Sequence, residues 1–227
     1  HRNLISKQLS FDKKNILIIE DGGGGIIKKV SNKTLIYNLE KSSINYPIGN
    51  QKIFLLFGNI RKDKGYLFLT SIWEKFFNSP NDPFLWIVGH DEEKLSKFIL
   101  KNSSPNIVLH NSYVPLELIS CIYQKSDFAI LPYLSNYKGG SGPLMKGAFT
   151  HSKLAIVSDV SEMGRLAKEE NLAEFFNSEN SESVVSCIKK VLEKKDEYYA
   201  DKIKRAFNYA NERDWSNLSG KFIESLK

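Results

Sequence analysis

Residues 53–77 read IFLLFGNIRKDKGYLFLTSIWEKFF, and this stretch decides the fold. Ile53 to Phe57 is a continuous apolar run stopped by Gly58, the pattern of a strand buried on both faces. After a short charged loop, Leu67, Leu69, Ile72, Trp73, Phe76 and Phe77 recur at helical spacing from Tyr66 onward. Strand, turn and helix in direct succession make the first half of a βαβ unit. The alternation continues downstream. Phe84 to Val88 predicts a strand ended by Gly89, followed by a helix carrying Leu95, Phe98 and Ile99. Ile107 to Leu109 predicts a short strand, Leu116 to Tyr123 a helix, and Phe128 to Leu131 a strand ended by Pro132. A helix near Leu144 to Phe149 then leads to a strand from Leu154 to Val157. Strands spaced by helix-length segments imply right-handed crossovers and a parallel sheet covered on both faces. The expected fold class is α/β, a Rossmann-like doubly wound parallel sheet, with helices at the C-terminus.

After Phe175 and Phe176 the pattern is purely helical. Val184, Val185, Ile188, Val191 and Leu192 form one amphipathic face, and Ile203, Phe207 and Tyr209 belong to a second helix. Leu218, Phe222, Ile223 and Leu226 give a third helix, with Asp214 before Trp215 as its cap. That last stripe needs a covering surface. Residues 1–50 read differently, as a leading segment or interdomain linker. They hold one strand, Ile16 to Ile19, then four glycines, Gly22 to Gly25, and a polar stretch from Lys41 to Asn50. A boundary falls near Gly49, so that 51–227 forms the main domain. The glycine run fits neither a Gly-x-Gly-x-x-Gly fingerprint nor a Walker loop. A phosphate-facing loop and a hinge both remain open for it.

Composition narrows the class. The chain has 227 residues, enough for one good core, and no apolar run approaches the roughly 20 residues of a membrane span. His1 rather than Met opens the sequence, and the native start is expected upstream. Cys121 and Cys187 both sit in apolar helical patterns, which suits a reducing, cytoplasmic compartment better than a disulfide framework. The net charge is +6, but residues 1–50 carry 8 Lys/Arg against 4 Asp/Glu and the remainder 24 against 22. The body is therefore nearly neutral. It shows no basic stripe with interleaved aromatics, so nucleic acid is not an expected partner. The basic leading segment would suit loose peripheral contact with an anionic membrane surface, or be simply a solvated lysine-rich surface.

Ligands of open parallel sheets bind outside the carboxyl ends of the strands. The first strand end carries Gly58, Arg61 and Lys64 and leads into a helix. A glycine there lets backbone approach a ligand, Arg61 offers a planar fork of donors, and Lys64 a compact charge. The combination suits a diphosphate, and a charged surface turn is the plainer reading. A second cluster, Lys138-Gly139-Gly140-Ser141-Gly142-Pro143, follows the strand ending at Pro132. Pro143 is suited to the first helical position, with Ser141 or Gly142 at the cap. The glycines leave backbone amides free to meet a phosphate; a mobile surface loop is the alternative. No metal is expected: there is no Asp-x-Asp pair, and His90, His110 and His151 lack ligand spacing with the cysteines.

With these residues in place a resemblance appears. From about Ile53 to Leu226 the chain resembles the C-terminal, nucleotide-sugar-binding domain of the family 4 (group 1) retaining glycosyltransferases of the GT-B fold. FLLFGNIRKDKGYLFL (54–69) resembles that family's strand, basic loop and helix, and FLWIVG (84–89) its second strand. YVPLELISCIYQKSDFAILPY (113–133) is similar to the segment ending in an aspartate, an apolar strand and a proline. GGSGPLMKGAFTHSKLAIVSD (139–159) resembles the glycine-rich loop, helix and strand that follow. A closing helix with a tryptophan, here Trp215, also fits.

The resemblance implies transfer of a sugar from a nucleotide-sugar donor to an acceptor with retention, without a cofactor. By position, Gly58, Arg61 and Lys64 would meet the diphosphate. Gly140, Ser141 and Gly142 would offer backbone donors, and Tyr113 and Val114 would border the nucleobase. The family's paired glutamates, eight positions apart, fall on Lys138 and Lys146, and a lysine cannot accept hydrogen bonds from sugar hydroxyls as a carboxylate does. Either the donor is unusual and more acidic, or another carboxylate such as Glu162 substitutes, or catalysis is lost. No catalytic residue is assigned. The missing N-terminal GT-B domain is expected on the same chain, with residues 1–50 as its remnant, and the fragment alone is expected to be inactive. A non-catalytic, partner-binding relative and an unrelated doubly wound nucleotide-binding protein are the other classes.

Overall fold

The computed structural model describes residues 27, 29–101, 104–214, 217–220 and 223. Its centre is a sheet of six parallel strands in the order β3-β2-β1-β4-β5-β6. The strands are β1 (Ile53–Phe57), β2 (Phe84–Val88), β3 (Ile107–His110), β4 (Phe128–Leu131), β5 (Leu154–Ser158) and β6 (Glu174–Phe176). Strand β1 lies between β2 and β4, paired for instance Leu55 with Trp86 and with Ala129. Its side chains alternate between two cores. Ile53 and Leu55 join one cluster, Phe54 and Leu56 the other, which is why β1 reads as an unbroken apolar run.

Helices cover both faces. On the Phe54 side lie α2 (Tyr66–Phe76), α3 (Ser96–Lys101) and α6 (Ser181–Glu193), represented in the core by Trp73, Ile99 and Ile188. On the Leu55 side lie α1 (Asn32–Lys41), α4 (Leu116–Lys125), a π-helix (Pro143–Phe149), α5 (Ser161–Lys168) and α7 (Ala200–Glu212). The two described indoles reconcile burial with their N–H groups: Trp73 donates to Pro83 O at 2.8 Å and Trp86 to Asn45 O at 2.8 Å.

Three elements escape the sequence reading. Helix α1 falls within the stretch read as leading segment or linker. Ser31 caps it, accepting from Thr34 N at 3.2 Å, and Leu35 and Leu39 are buried one turn apart. The polar stretch beyond it also belongs to the packed body. Ile44 is buried, and Asn45 donates to Leu109 O at 3.1 Å. Helix α5 is short, and β6 begins with a charged residue. Glu174 is nonetheless buried, because Lys190 at 2.8 Å and Lys202 both reach its carboxylate.

At the C-terminus the described residues 217–220 and 223 are helical. Leu218 is buried and Ile223 is 56% exposed, so of the two described residues of the expected stripe one is covered and one is open. The strand expected at Ile16 to Ile19, the glycine run, Trp215, Phe222 and Leu226 lie outside the described residues. Cys121 and Cys187 are buried free thiols. Burial pushes the Cys187 thiol up to about 12, with Glu174 adding to the effect. No helix among the described residues is long and apolar enough to cross a membrane.

Candidate functional site

Strands β1 to β3 step outward in one direction and β4 to β6 in the other, so the sheet reverses between β1 and β4. A crevice outside the carboxyl ends of strands is expected at such a point. The two loops singled out from sequence both issue from it.

The loop after β1 is fastened from several sides. Gly58 takes φ +120°, its carbonyl accepts from Tyr66 Oη at 2.7 Å, and its N–H donates to Val88 O at 2.9 Å. Gly65 takes φ +70°, and a Cβ at that position would collide with the carbonyl oxygen of Pro132. Leu134 N donates to Asp63 O at 2.9 Å, so this loop and the one after β4 are directly joined. Lys64 is half-buried here. Its Nζ lies 3.5 Å from where a Gly58 Cβ would stand and 5.9 Å from the centre of the Tyr133 ring. Burial lowers the Lys64 pKa, and Arg61 adds to that, while Asp63 and Glu92 oppose it. Arg61 is differently placed. Its guanidinium is forked onto Asp63, with Nε 3.1 Å from Oδ1 and Nη2 on Oδ2, so part of its donor capacity is met within the loop. That pairing leads the causes that raise its pKa.

The loop after β4 carries the glycine-rich cluster, and its carbonyls are drawn back onto the protein. Gly139 O accepts from Ser161 Oγ at 2.9 Å, Gly140 O from Tyr137 Oη at 2.5 Å, and Ser141 O from Leu144 N at 3.1 Å. Among the described residues, no hydrogen bond engages the N–H groups of Gly139, Gly140, Ser141 or Gly142. A run of unengaged N–H groups with the carbonyls turned away leaves donors without acceptors on this side of the loop. Ser141 is buried and its Oγ bonds Tyr133 Oη at 3.2 Å, which links it to the ring beside Lys64. Pro143 opens the helix as expected, and its Cγ lies 3.2 Å from where a Gly58 Cβ would stand. Gly58, Lys64, Ser141 and Pro143 are thus gathered at one place on one edge.

The helix behind the loop is a π-helix rather than the ordinary helix expected. Thr150 N reaches Met145 O at 3.3 Å and Lys153 N reaches Ala148 O at 2.9 Å, five residues back. Tyr123 Oη donates to Pro143 O at 3.1 Å, and Gly147 leaves room for that ring. Lys138 and Lys146 are both exposed; Lys138 Nζ is 3.4 Å from Ser135 O. Gly142 and Lys146 are exposed with buried Leu144 and Met145 between them, so they share the open side of this helix.

Tyr113 is 68% exposed and stacks on His90, with ring centres 4.3 Å apart and planes 19° from parallel. This flat pair stands at the ends of β2 and β3. Val114 is half-buried and packs against the sheet rather than facing outward with Tyr113.

Several acidic groups of this edge are engaged within the protein. Asp63 holds Arg61, and Asp91 accepts from the N–H groups of Leu95 and Ser96 at 2.9 and 2.7 Å. Glu92 meets Asn59, and Glu93 accepts from Lys62 N at 3.1 Å. Asp159 takes Ser178 N and Lys168, each at 2.9 Å. Glu162, the carboxylate considered as a substitute for the absent glutamates, is held by Arg165 through Nε at 3.0 Å. Glu179 takes both Ser135 N and Ser135 Oγ, at 3.1 and 2.6 Å. Among the described residues no group of three or more His, Cys, Asp or Glu could hold a metal ion.

Sequence reasoning misses the tyrosines and Ser161 that shape the site. Tyr66, Tyr133, Tyr137 and Ser161 hold carbonyls and hydroxyls of the two loops. The signal available for Tyr133 was its place directly after the strand-ending Pro132.

The comparisons agree with this fold. No curated protein matches the chain. Among solved structures, a glycosyltransferase from Rickettsia africae superposes with a TM-score of 0.74 at 16% identity, over 98% of this chain and 59% of that one. Anabaena Alr3699/HepE in complex with UDP and glucose gives 0.75 at 14% identity, over 97% of this chain and 59% of that one. Sucrose-phosphate synthase from Thermosynechococcus elongatus gives 0.69 at 12% identity, over 99% of this chain and 56% of that one. This chain therefore spans less than two thirds of the length of each. The family described as glycosyl transferases group 1 matches residues 40–209, and the chain belongs to that family.

Proposed function

We propose that this chain is the donor-binding half of a GT-B glycosyltransferase that moves a sugar from a nucleoside diphosphate sugar to an acceptor with retention. The observation that carries the reading is the glycine-rich loop, with N–H groups of 139–142 unengaged, carbonyls tied back, and Lys64 beside it at the β1–β4 reversal. In this reading the N–H groups and Lys64 take the diphosphate, and Arg61 contributes from its pairing with Asp63. The Tyr113–His90 stack offers a flat surface to the base. As the bond to the leaving diphosphate lengthens, negative charge grows on its oxygens, and fixed donors stabilise that charge more than the ground state. The Anabaena structure, a complex with UDP and glucose, supports the same ligand class. The remainder of the cleft would come from an N-terminal GT-B domain on the same polypeptide. Free, buried Cys121 and Cys187 support a cytoplasmic location, and the basic excess of residues 1–50 supports contact with an anionic membrane surface.

Calorimetric titration with UDP, GDP, uridine and guanosine tests the reading. One diphosphate should bind at least about tenfold tighter than its nucleoside, the effect of a charge-assisted hydrogen bond. Absence of binding by every nucleoside diphosphate, or equal affinity for nucleoside and diphosphate, would contradict it.

A further inference from the structure

We infer that Ser161 is a positioning residue for the glycine-rich loop, its hydroxyl aiming the Gly140 N–H for the diphosphate; this rests on the edge being a nucleotide-sugar site. A loop with glycines at 139, 140 and 142 has little stiffness of its own, so the direction of its amides has to be set by what holds it. In a planar trans peptide the C=O of one residue and the N–H of the next point in opposite directions. Whatever holds the Gly139 carbonyl therefore also aims the Gly140 N–H. Ser161 Oγ holds that carbonyl, donating to it at 2.9 Å. By the same rule Tyr137 Oη on Gly140 O sets the Ser141 N–H, and Leu144 N on Ser141 O sets that of Gly142. Tyr137 and Leu144 belong to the loop and to the helix it opens, and they move with them. Ser161 reaches across from beyond β5, 22 residues along the chain from Gly139.

The turn that carries Ser161 is firmly built. Asp159 N donates to Phe176 O at 3.0 Å, and the Asp159 carboxylate takes Ser178 N and Lys168 Nζ, each at 2.9 Å. Gly164 lets α5 lie against the Asp159 backbone, where a Cβ would stand 2.5 Å from the carbonyl carbon. Ser161 itself has φ +52°, in the left-handed region that a residue with a Cβ seldom enters. Glycine would take that φ without strain. What serine adds is a hydroxyl, and among the described residues that hydroxyl bonds Gly139 O alone. No side-chain bond caps α5 at Val160, so the strained serine serves the loop rather than its own helix.

Calorimetry with UDP, GDP and their nucleosides on the 227-residue chain tests the role. Ser161→Ala and Ser161→Gly both lose the hydroxyl, and each should bind the diphosphate about two- to tenfold more weakly with the nucleoside unchanged. The glycine variant is free of backbone strain and should melt above the alanine one, so affinity and stability part company. Ser161→Thr keeps a hydroxyl and should retain most of the affinity, while its β-branched side chain lowers the melting temperature below wild type. In the ligand-free chain, Ser161→Ala should lower the amide order parameter of Gly140. Wild-type affinity for the diphosphate in Ser161→Gly overturns the inference and leaves the nucleotide reading standing. Affinity that follows melting temperature across the three variants, or an unchanged Gly140 order parameter, overturns it as well. If the wild-type chain binds neither UDP nor GDP, the nucleotide reading falls and this inference with it.

Discussion

Gly65 shows how one residue fixes the candidate site. Its φ of +70° is left-handed, and its missing side chain lets the loop after β1 lie on the Pro132 carbonyl. Gly65→Ala should lower stability by about 1–3 kcal/mol through strain and overpacking, seen as a reduced denaturant midpoint. It should also weaken nucleoside diphosphate binding by parting the two loops. Unchanged stability would mean the loops are not held in contact there. Lys64 makes a prediction in pH. Burial, then Arg61, place its pKa below that of an exposed lysine. The unfolded chain therefore binds more protons between the folded pKa and the ordinary lysine value, and Lys64's contribution to stability rises with pH across that window. A bound anion favours the charged form, so diphosphate affinity should fall as pH rises through the folded pKa, and Lys64→Arg should flatten that fall. Gly58, Lys64 and the glycine-rich loop were legible in sequence because strand-end glycines and basic residues have a direct chemical reading. Tyr133, Tyr137 and Ser161 were not. Their work is to bind oxygens of loops that meet only after the sheet has formed.

At the scale of elements, the long apolar strands were readable and the short or charged ones were not. Strand β6 opens with Glu174, whose burial depends on Lys190 from α6 and Lys202 from α7, neither adjacent in sequence. Burial opposes the Glu174 charge, but the hydrogen bonds from both lysines outweigh it and hold its pKa below the usual glutamate value. That contribution is present above the unfolded pKa and is lost as pH falls through the folded one. Glu174→Gln should destabilise the chain by about 1.5–3 kcal/mol at neutral pH, and the difference from wild type should vanish in acid. A constant difference across pH would remove the charge from the explanation. Helix α1 escaped notice because its apolar content is two buried leucines in a polar sequence. The π-helix could not be distinguished from an ordinary one by spacing. Its extra width depends on Tyr123 bonding Pro143 O and on Gly147 yielding space to that ring.

For the molecule as a whole, the strand order brings the loops after β1 and β4 together, and those loops carry the donors that the reading requires. The chain spans 59% of the Rickettsia and Anabaena structures it superposes on. A reaction that needs a cleft between two domains should therefore fail with this chain alone, and turnover of any sugar nucleotide by the 227 residues would contradict that expectation. The central claim is that the edge at the β1–β4 reversal is a diphosphate site. It is tested most directly by the affinities of UDP and uridine for wild type, Lys64→Ala and Lys62→Ala. Lys62 is exposed on the same loop and has no contact with Gly58 or Tyr133 comparable to that of Lys64. Lys64→Ala should weaken UDP about ten- to hundredfold and leave uridine nearly unchanged, with Lys62→Ala close to wild type. Equal UDP affinity for wild type and Lys64→Ala, or equal losses for the two lysines, would show that the loop is a surface turn and not a phosphate site.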